Sequence, residues 1–473
     1  MAIPYTFAGQ TGIIPLSELD SNFTYVGDSN GVTYVPAGTG AVSTTVQAKL
    51  RQVVSIIDFG ADPTGAIPCD TALANARTYI ASTKAQLVFP AGTYTYSTSP
   101  NWGISGADIT TNGLVTLNYT GTGYAVNIDA GVSSGLVYKM SFAGNFIVKS
   151  NASALDAVFV RSIHHSKIAL KVSGCGPTYA GLRVNFSVCT EYSIVVSGNE
   201  GLIAGAIPYY GMYLDKRGAS ESTSACIFNN PIIEGVGATG IHLQTAVQCT
   251  FTGGTSEGNT GLGLYISSNS SFNTFNKLDL EVNGVSTGDI SDNGNANIFN
   301  GCLSGGAATT KSTFAGTNAI VSGGTYNYIY NTGTGTNFNN VVYGNNGGVF
   351  SNTGTYTSAT RLYSNTSGIY DNNISAFSIG PVIVSVINNT ATTVLTLPTT
   401  GGTRFYQVLV YFPLSGNTPA YAAYALIAQD LTSARIMTQV DGSRLAITLS
   451  GSNVQITQTS GITQNVTAIA NPI

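Results

Sequence analysis

Between Ala225 and Gly305 short apolar runs, alternating with polar positions, are separated by Gly, Asn and Thr, and the same text returns coil after coil. ACIFNNPIIEGVGATGIHL from Ala225, QCTFTGGTSEGNTGLGLYI from Gln248 and SFNTFNKLDLEVNGVSTGDI from Ser271 share one pattern. Glu234, Glu257 and Glu281 hold matching places, at nearly equal steps along the chain. Gly240 and Gly263 follow their glutamates by six residues, and Gly288 follows Glu281 by seven. A further copy, NANIFNGCLSGG from Asn295, has no glutamate. Weaker copies stand upstream, SKIALKVSGCGPTYAGLRV and EYSIVVSGNEGLIAGAIPYYGMYL, which set Cys175 and Asn199 or Glu200 against the glutamate position.

A period in the low twenties, made of β-branched runs and turn residues, is the mark of stacked coils. A leucine ladder is missing, and helical repeats need longer segments of 3.6-residue periodicity. The pattern therefore predicts an all-β protein whose centre is a right-handed parallel β-helix. Each coil supplies short strands that pair with the coils on either side, so stability comes from neighbour interfaces. Asn and Thr at matching places are expected to hydrogen-bond along the stack.

A solenoid needs a cap over its open end. CDTALANARTYIAS supplies it: Asp70 suits an N-cap, and Leu73, Ala76 and Ile80 recur at helical spacing, which predicts a single short helix over 71–83. AQLVFPAGTYTY follows as a strand-like run broken at Pro-Ala-Gly. After residue 305 the repeat blurs, and irregular or thinner coils are expected to about residue 373. PVIVSVINNTATTVLTLP, FYQVLVYFPL, RLAITLS and NVQITQT then alternate as strands of a C-terminal β-sandwich over 374–473.

Composition changes the picture in one respect. Charged residues make up 8% of the 473, against about 25% in ordinary soluble proteins, and Gly alone accounts for 56. A net charge of −4 without a basic cluster excludes a nucleic-acid partner, and no apolar run spans a membrane. The start, MAIPYTFAGQTGIIPLSELD, does not read as a secretory signal peptide, so the chain is expected to be made in a host cytoplasm. The six cysteines show no metal-ligand spacing and are read as buried thiols. No cofactor or metal is expected.

VVSIIDFGADPTG, then a short helix, then LVFPAGTY resembles the opening of the pectate-lyase-like β-helix domains of bacteriophage tailspikes. IPYTFAGQTGIIPLSELDSNF and YVPAGTGAVSTTVQAKLRQVVS resemble the virion-proximal leader of the same proteins. Together they cover roughly the first 95 residues. One departure stands out: the family's acidic G-D-G-x-x-D-D-T stretch is here ADPTGAIPCDT, which keeps Asp62 and Asp70. The resemblance implies a virion-attachment leader over 1–50, a β-helix over 51–373 and a terminal module that trimerises or contacts carbohydrate. It also implies a homotrimer in the phage tail, with tail, baseplate or adaptor proteins bound through the N-terminus and a bacterial surface polysaccharide as ligand.

The candidate chemistry sits in the repeat. Side chains stacked on adjacent coils lie about 5 Å apart, and next-but-one about 10 Å. Glycoside hydrolases need carboxyls about 5–5.5 Å apart for retention and about 6.5–9.5 Å for inversion. Glu234, Glu257, Glu281 and Asp279 are thus candidate catalytic groups, against the simpler reading of a turn-bonding or solvated ladder. YYGMYLDKRGASES adds Asp215, expected to pair with Glu234, and a sugar-binding group of Tyr209, Tyr210, Tyr213 and Arg217. A solvated loop with a local ion pair is the alternative for that cluster. His164 and His165, Trp102 and the strip Tyr326, Tyr328, Tyr330 are secondary candidates, and His242 is read as a satisfied coil histidine. The functional expectation is a tailspike that recognises and hydrolyses a capsule or O-antigen. The alternative is a non-enzymatic receptor-binding spike of the same fold; a secreted lyase or adhesin is disfavoured by the N-terminal text.

Overall fold

The first runs of the repeated texts, Ile227–Asn229, Thr250–Thr252, Thr274–Asn276 and Ile298–Asn300, pair parallel and in register, with Phe228, Phe251, Phe275 and Phe299 at one position. The chain is seen in a computed structural model that describes residues 6, 11–27, 30–131, 135–199, 205–284, 288–305, 311–339 and 341–343, and beyond these the strands named below. The second runs, Ile232–Glu234, Thr255–Glu257, Asp279–Glu281 and Leu303–Gly305, form a second parallel sheet. The third runs, Ile241–Leu243, Leu264–Ile266 and Ile290–Asp292, form a third. This is a parallel β-helix.

Upstream the coils are built from longer strands. Gln86–Tyr96, Asp108–Tyr119, Ser141–Ser150, Lys167–Ser173 and Glu191–Ser197 extend the first sheet. Glu191–Ser197 is where one sheet becomes two: Glu191 and Tyr192 pair with Ile227 and Phe228, while Val195 to Ser197 pair with Ile232 to Glu234. The third sheet begins at Val126–Asp129 and runs through Val158–His164, Ala180–Val188 and Tyr210–Arg217.

The corner leading back to the first sheet turns on a left-handed residue in each coil. His165, Cys189, Ala225, Gln248, Phe272, Ala296 and Asn318 all have φ between 49° and 58°, and none is glycine. Each such conformation is unfavourable for an L-residue. It persists because the corner N–H donates to a carbonyl of the next coil, as from Ala225 to Val247 (3.0 Å), Gln248 to Ser271 (3.0 Å) and Phe272 to Asn295 (2.9 Å).

Inside, Tyr192, Phe228, Phe251, Phe275 and Phe299 form one stack with centroids 4.8, 4.5, 4.9 and 5.1 Å apart, every ring fully buried. Each such ring contributes about 2–3 kcal/mol by burial. The expected ladder of Asn along the stack is present within the core: Asn259 donates to Asn283 (2.8 Å) and Asn273 to Asn297 (3.1 Å). It also explains the repeated glycine. A Cβ at Gly263 would stand 2.5 Å from Asn283 Nδ2, and one at Gly240 2.0 Å from Ser256 Oγ.

The cap helix spans Asp70–Thr83 and buries Ala72, Leu73, Ala76 and Ile80. Asp70 does not cap it. Its carboxylate accepts instead from the Ser97 and Thr98 amides (3.0 and 2.6 Å) and the Ser97 hydroxyl, tying the helix start to the end of the first long strand. Two further helices, Leu16–Gly27 and Val46–Leu50, lie upstream, where the sequence pattern predicts none. Five cysteines are buried and Cys189 is exposed; all six are free thiols.

Past residue 305 the parallel pairing continues, with register shifts at Thr334 to Asn337, while the length of the coil varies. Thr274, Ile298, Ile320, Asn337 and Ser358 (in Thr355–Ala359) share one register, and the stretch of chain between successive members shrinks as far as Asn337 and lengthens again to Ser358. The YNYIYN strip is split by this geometry. Tyr326 ends the second-sheet strand and is fully buried, whereas Tyr328 and Tyr330 lie half-buried on the third sheet, because the chain turns a corner between them. Toward the C-terminus an antiparallel five-stranded sheet (Ile379–Val386, Gln464–Pro472, Arg404–Tyr411, Ala422–Gln429, Ala434–Val440) accompanies a three-stranded one (Thr392–Thr396, Asn453–Gln458, Leu445–Ser450).

Candidate functional site

Glu234 pairs with Glu257, and Glu257 with Glu281, so the three glutamates stand one above the next on the outer face of the second sheet. The column ends at Gly305 below and Ser197 above. Upstream it passes through Ser173 and Ser197, not Cys175 or Asn199, which lie two residues further along; Glu200 is outside the described residues. The carboxylates are thus confined to three consecutive coils.

Two features of the local chain aim them. Each glutamate closes a three-residue strand whose middle residue (Ile233, Ser256, Leu280) faces the core, so the flanking positions face out. The next residue then turns left-handed: Gly235 (φ 65°), Gly258 (61°) and Val282 (54°). Their N–H groups donate to the glutamate carbonyl, or to that of Gly305, one coil on.

Asp279 shares its strand with Glu281 and pairs with Thr255, which puts it beside both Glu257 and Glu281. Partial burial, then the charges of Glu281 and Glu257, push its carboxyl above the usual carboxylate range. Its Oδ1 is covered and has no hydrogen-bond partner. A carboxyl held toward its protonated form next to carboxylates is the arrangement a general acid requires. Positions i and i+2 of a strand lie about 6.6 Å apart, and in-register neighbours about 4.8 Å. The Asp279–Glu281 spacing is in the range for inversion and Glu257–Glu281 near that for retention.

Asp215 is not part of this group. It lies on the third sheet, one residue beyond Leu214, which pairs with Leu243 of the next coil, so it cannot pair with Glu234 on the second. Arg217 is corrected as well. Its side chain is only 4% exposed and its donors are taken by Glu221 (2.7 and 2.6 Å), Gly135 O and Ser162 Oγ, with Phe186 stacked beneath it at 4.7 Å. It fastens the Tyr210–Arg217 hairpin and offers nothing to a ligand. Strand alternation alone hides this, because the pleat breaks where Arg217 pairs back onto Glu221.

The tyrosines do cluster. Tyr209 packs on Tyr210 (4.8 Å), and Tyr210 on Tyr213 (4.9 Å) and His242 (5.0 Å). His242 is not a satisfied coil residue: Nε2 meets Gln244 Oε1 at 3.1 Å, but the covered Nδ1 has no partner. Burial holds its pKa below the ordinary value, so the ring is neutral at pH 7. Trp102 is buried against Phe142 and is core. His165 is an exposed corner residue, while His164 sits between Tyr138 and Phe186. Two interior carboxyls had no signal in the sequence. Burial pushes Asp289 up to about 7 and Asp292 up to about 6. Asp289 accepts from Ser304 (2.7 Å) and Asn283 (3.0 Å). Among the described residues, no three His, Cys, Asp or Glu are placed to hold a metal, and no helix is long and apolar enough to cross a membrane.

No family model and no curated protein matches the chain. Solved structures similar to it over most of its length are mostly phage tailspike proteins. The Acinetobacter phage vB_ApiP_P1 tailspike protein is 13% identical over 95% of this chain and 91% of its own, with a TM-score of 0.43. Geobacillus virus E2 ORF18 is 11% identical over 94% and 89%, with a TM-score of 0.47. The tailspike protein gp49 of Acinetobacter baumannii bacteriophage Fri1, a capsular polysaccharide depolymerase, is 11% identical over 94% and 91%, with a TM-score of 0.38. At these scores the likeness carries no argument about the site; the fold rests on the strand register.

Proposed function

We propose that this chain is a phage tail spike that recognises a bacterial surface polysaccharide and hydrolyses it at the carboxylate column. The observation that carries the reading is the juxtaposition of Asp279, biased toward its protonated form, with Glu281 on its own strand and Glu257 on the coil before. In this reading Asp279 protonates the glycosidic oxygen as the bond to the anomeric carbon breaks. Glu281 takes a proton from the water that attacks the same carbon from the opposite face. The i, i+2 spacing then calls for inversion. Glu257, the third charge, stabilises the oxocarbenium-like transition state. Residues 1–50 would hold the virion and residues 374–473 would join three copies, placing the protein in the tail.

The test is release of reducing ends from purified capsules and O-antigens. Asp279→Asn and Glu281→Gln should each abolish it while the thermal transition stays in place. Release that survives both substitutions overturns the assignment. A second reading, a spike that binds without cleaving, is favoured by the third glutamate: a catalytic pair needs two residues, and a ladder copied with its coil carries as many as there are coils.

A further inference from the structure

Residues 1–48 contain Glu18, Asp20 and Asp28 and no Lys or Arg, while the next stretch opens on Lys49 and Arg51. Positions i, i+4 and i+7 of a helix share a face, and in the Leu16–Gly27 helix they are Leu16, Asp20 and Phe23. Leu16 is 71% and Phe23 68% exposed, with Asp20 exposed between them, whereas the buried residue of this helix, Asn22, points elsewhere. At the cap of the solenoid a cleft of about 410 Å³ opens between the short helix Val46–Leu50 and the end of Asp70–Thr83. Ala48, Arg51, Gln52, Tyr79 and Lys84 line it, and no acid does. Leu50 and Val53, which flank Arg51 and Gln52 in the chain, are exposed. Asp20, Arg51 and Lys84 form no ion pair among the described residues, and Lys49 meets Gln52 Oε1 (2.9 Å). The acids of the cap are engaged locally: Asp58 accepts from the Ser55 amide, Asp62 from the Thr64 and Ile67 amides, and Asp70 from those of Ser97 and Thr98.

We propose that the Leu16–Gly27 helix of one copy docks into the cap cleft of a second copy of this chain. Charge selects the occupant. The cleft is basic with an apolar rim, and the open face of the helix is apolar with an acid at its centre. Asp20 would meet Arg51 and Lys84, while Leu16 and Phe23, on either side of it, would cover Leu50 and Val53. In the single chain the helix face and the cleft both stand open, so each copy has one of each to offer. A contact between two different patches of the same chain is heterologous, and it is satisfied throughout when the copies close into a ring. Residues 28–45 reach up to about 60 Å when extended, enough to hand the helix to a neighbour. The helix is about 18 Å long. One face of it is small beside the roughly 800 Å² that each partner gives to a standard interface. The contact is therefore expected to be weak and salt-sensitive.

The test is zero-length cross-linking of the full chain with a water-soluble carbodiimide, which joins a carboxylate to an amine it touches. A link between copies multiplies the chain mass on a denaturing gel, and a link within one copy leaves it unchanged. Bands at multiples of the chain mass are expected, with peptide mapping joining Asp20 to Lys84 or Lys49, and their yield should fall as salt is raised. Arg51→Glu and Phe23→Ser leave the reacting groups in place, and each should lower the yield about fivefold with the thermal transition unchanged. Asp20→Lys combined with Lys84→Glu exchanges the charges and should keep the link. Absence of any link between copies, a link confined to single chains, or yields that neither Arg51→Glu nor Phe23→Ser lowers overturns the docking. The readout uses no polysaccharide, so its failure leaves the hydrolytic reading where it stands, and loss of that reading leaves the docking.

Discussion

The second and third sheets both repeat one outward position every coil, and they use the repetition in opposite ways. On the second, Glu234, Glu257 and Glu281 stack like charges, and burial followed by the charges of Glu281 and Glu257 raises the Asp279 carboxyl beside them. On the third, Tyr213, His242 and Tyr265 stack rings, which attract each other at the same spacing. A column of acids adds its charge to the effect of burial on a neighbouring carboxyl. A column of rings packs into a stack. The solenoid keeps the two columns on different faces.

That division can be broken in order of size. The largest effect expected is kinetic: Asp279→Asn should lower kcat on the order of 10²- to 10⁴-fold and leave KM near its parent value, read from reducing-end assays. Tyr265→Ala, on the other sheet, should leave both constants near their parent values. Phe251→Ala, inside the ring stack beneath both faces, should cost about 3–5 kcal/mol in chemical denaturation and loosen both sheets alike.

Asp289→Asn comes next. Because the folded protein raises this carboxyl from 3.8 to about 7, burial favours the protonated form. Stability is therefore greatest below about pH 4, falls as pH rises to about 7, and is flat above. The amide should remove a slope of at most about 4 kcal/mol across that window, seen as a melting temperature at pH 8 closer to that at pH 5. Asp292 adds a smaller slope of the same sign, from 3.8 to about 6. The smallest effect expected is at Val282, a β-branched residue held at φ 54° and 59% exposed where its register mates Gly235 and Gly258 are glycines. Val282→Gly should stabilise by about 1 kcal/mol, since a left-handed conformation strains an L-residue more than glycine's extra freedom costs.

Much of this was legible in the text. The even spacing of the repeat placed Glu234, Glu257 and Glu281 in one column, and helical spacing picked the buried face Leu73, Ala76, Ile80. Spacing measures distance along a coil, and it loses track at corners. The turn back to the first sheet uses Ala225, Gln248, Phe272 and Ala296, ordinary residues in a conformation usually left to glycine, so nothing in the letters marks it. For that reason spacing alone groups Asp215 with Glu234, and the corner between the second and third sheets hides in the same way that Tyr326 parts from Tyr328 and Tyr330. His242 was missed because its meaning lies in Tyr213, a coil before it, and Tyr265, a coil after it, neither of which shares its repeat letter. Arg217 looked available because charge on a short loop reads as solvated, and only the hairpin back to Glu221 buries it.

Past residue 305 the coils differ in chain length from one to the next, so the shaft is uneven there. Where perimeters match, between Ile227 and Asn300, a duplicated turn would find equal neighbours on both sides and could slot in, adding another rung to either face. Spliced beside the shortest turn, from Ile320 to Asn337, the same segment would overhang it and leave apolar rim uncovered. Growth of this molecule by copying is thereby steered to its middle, the stretch that carries every one of the stacked glutamates.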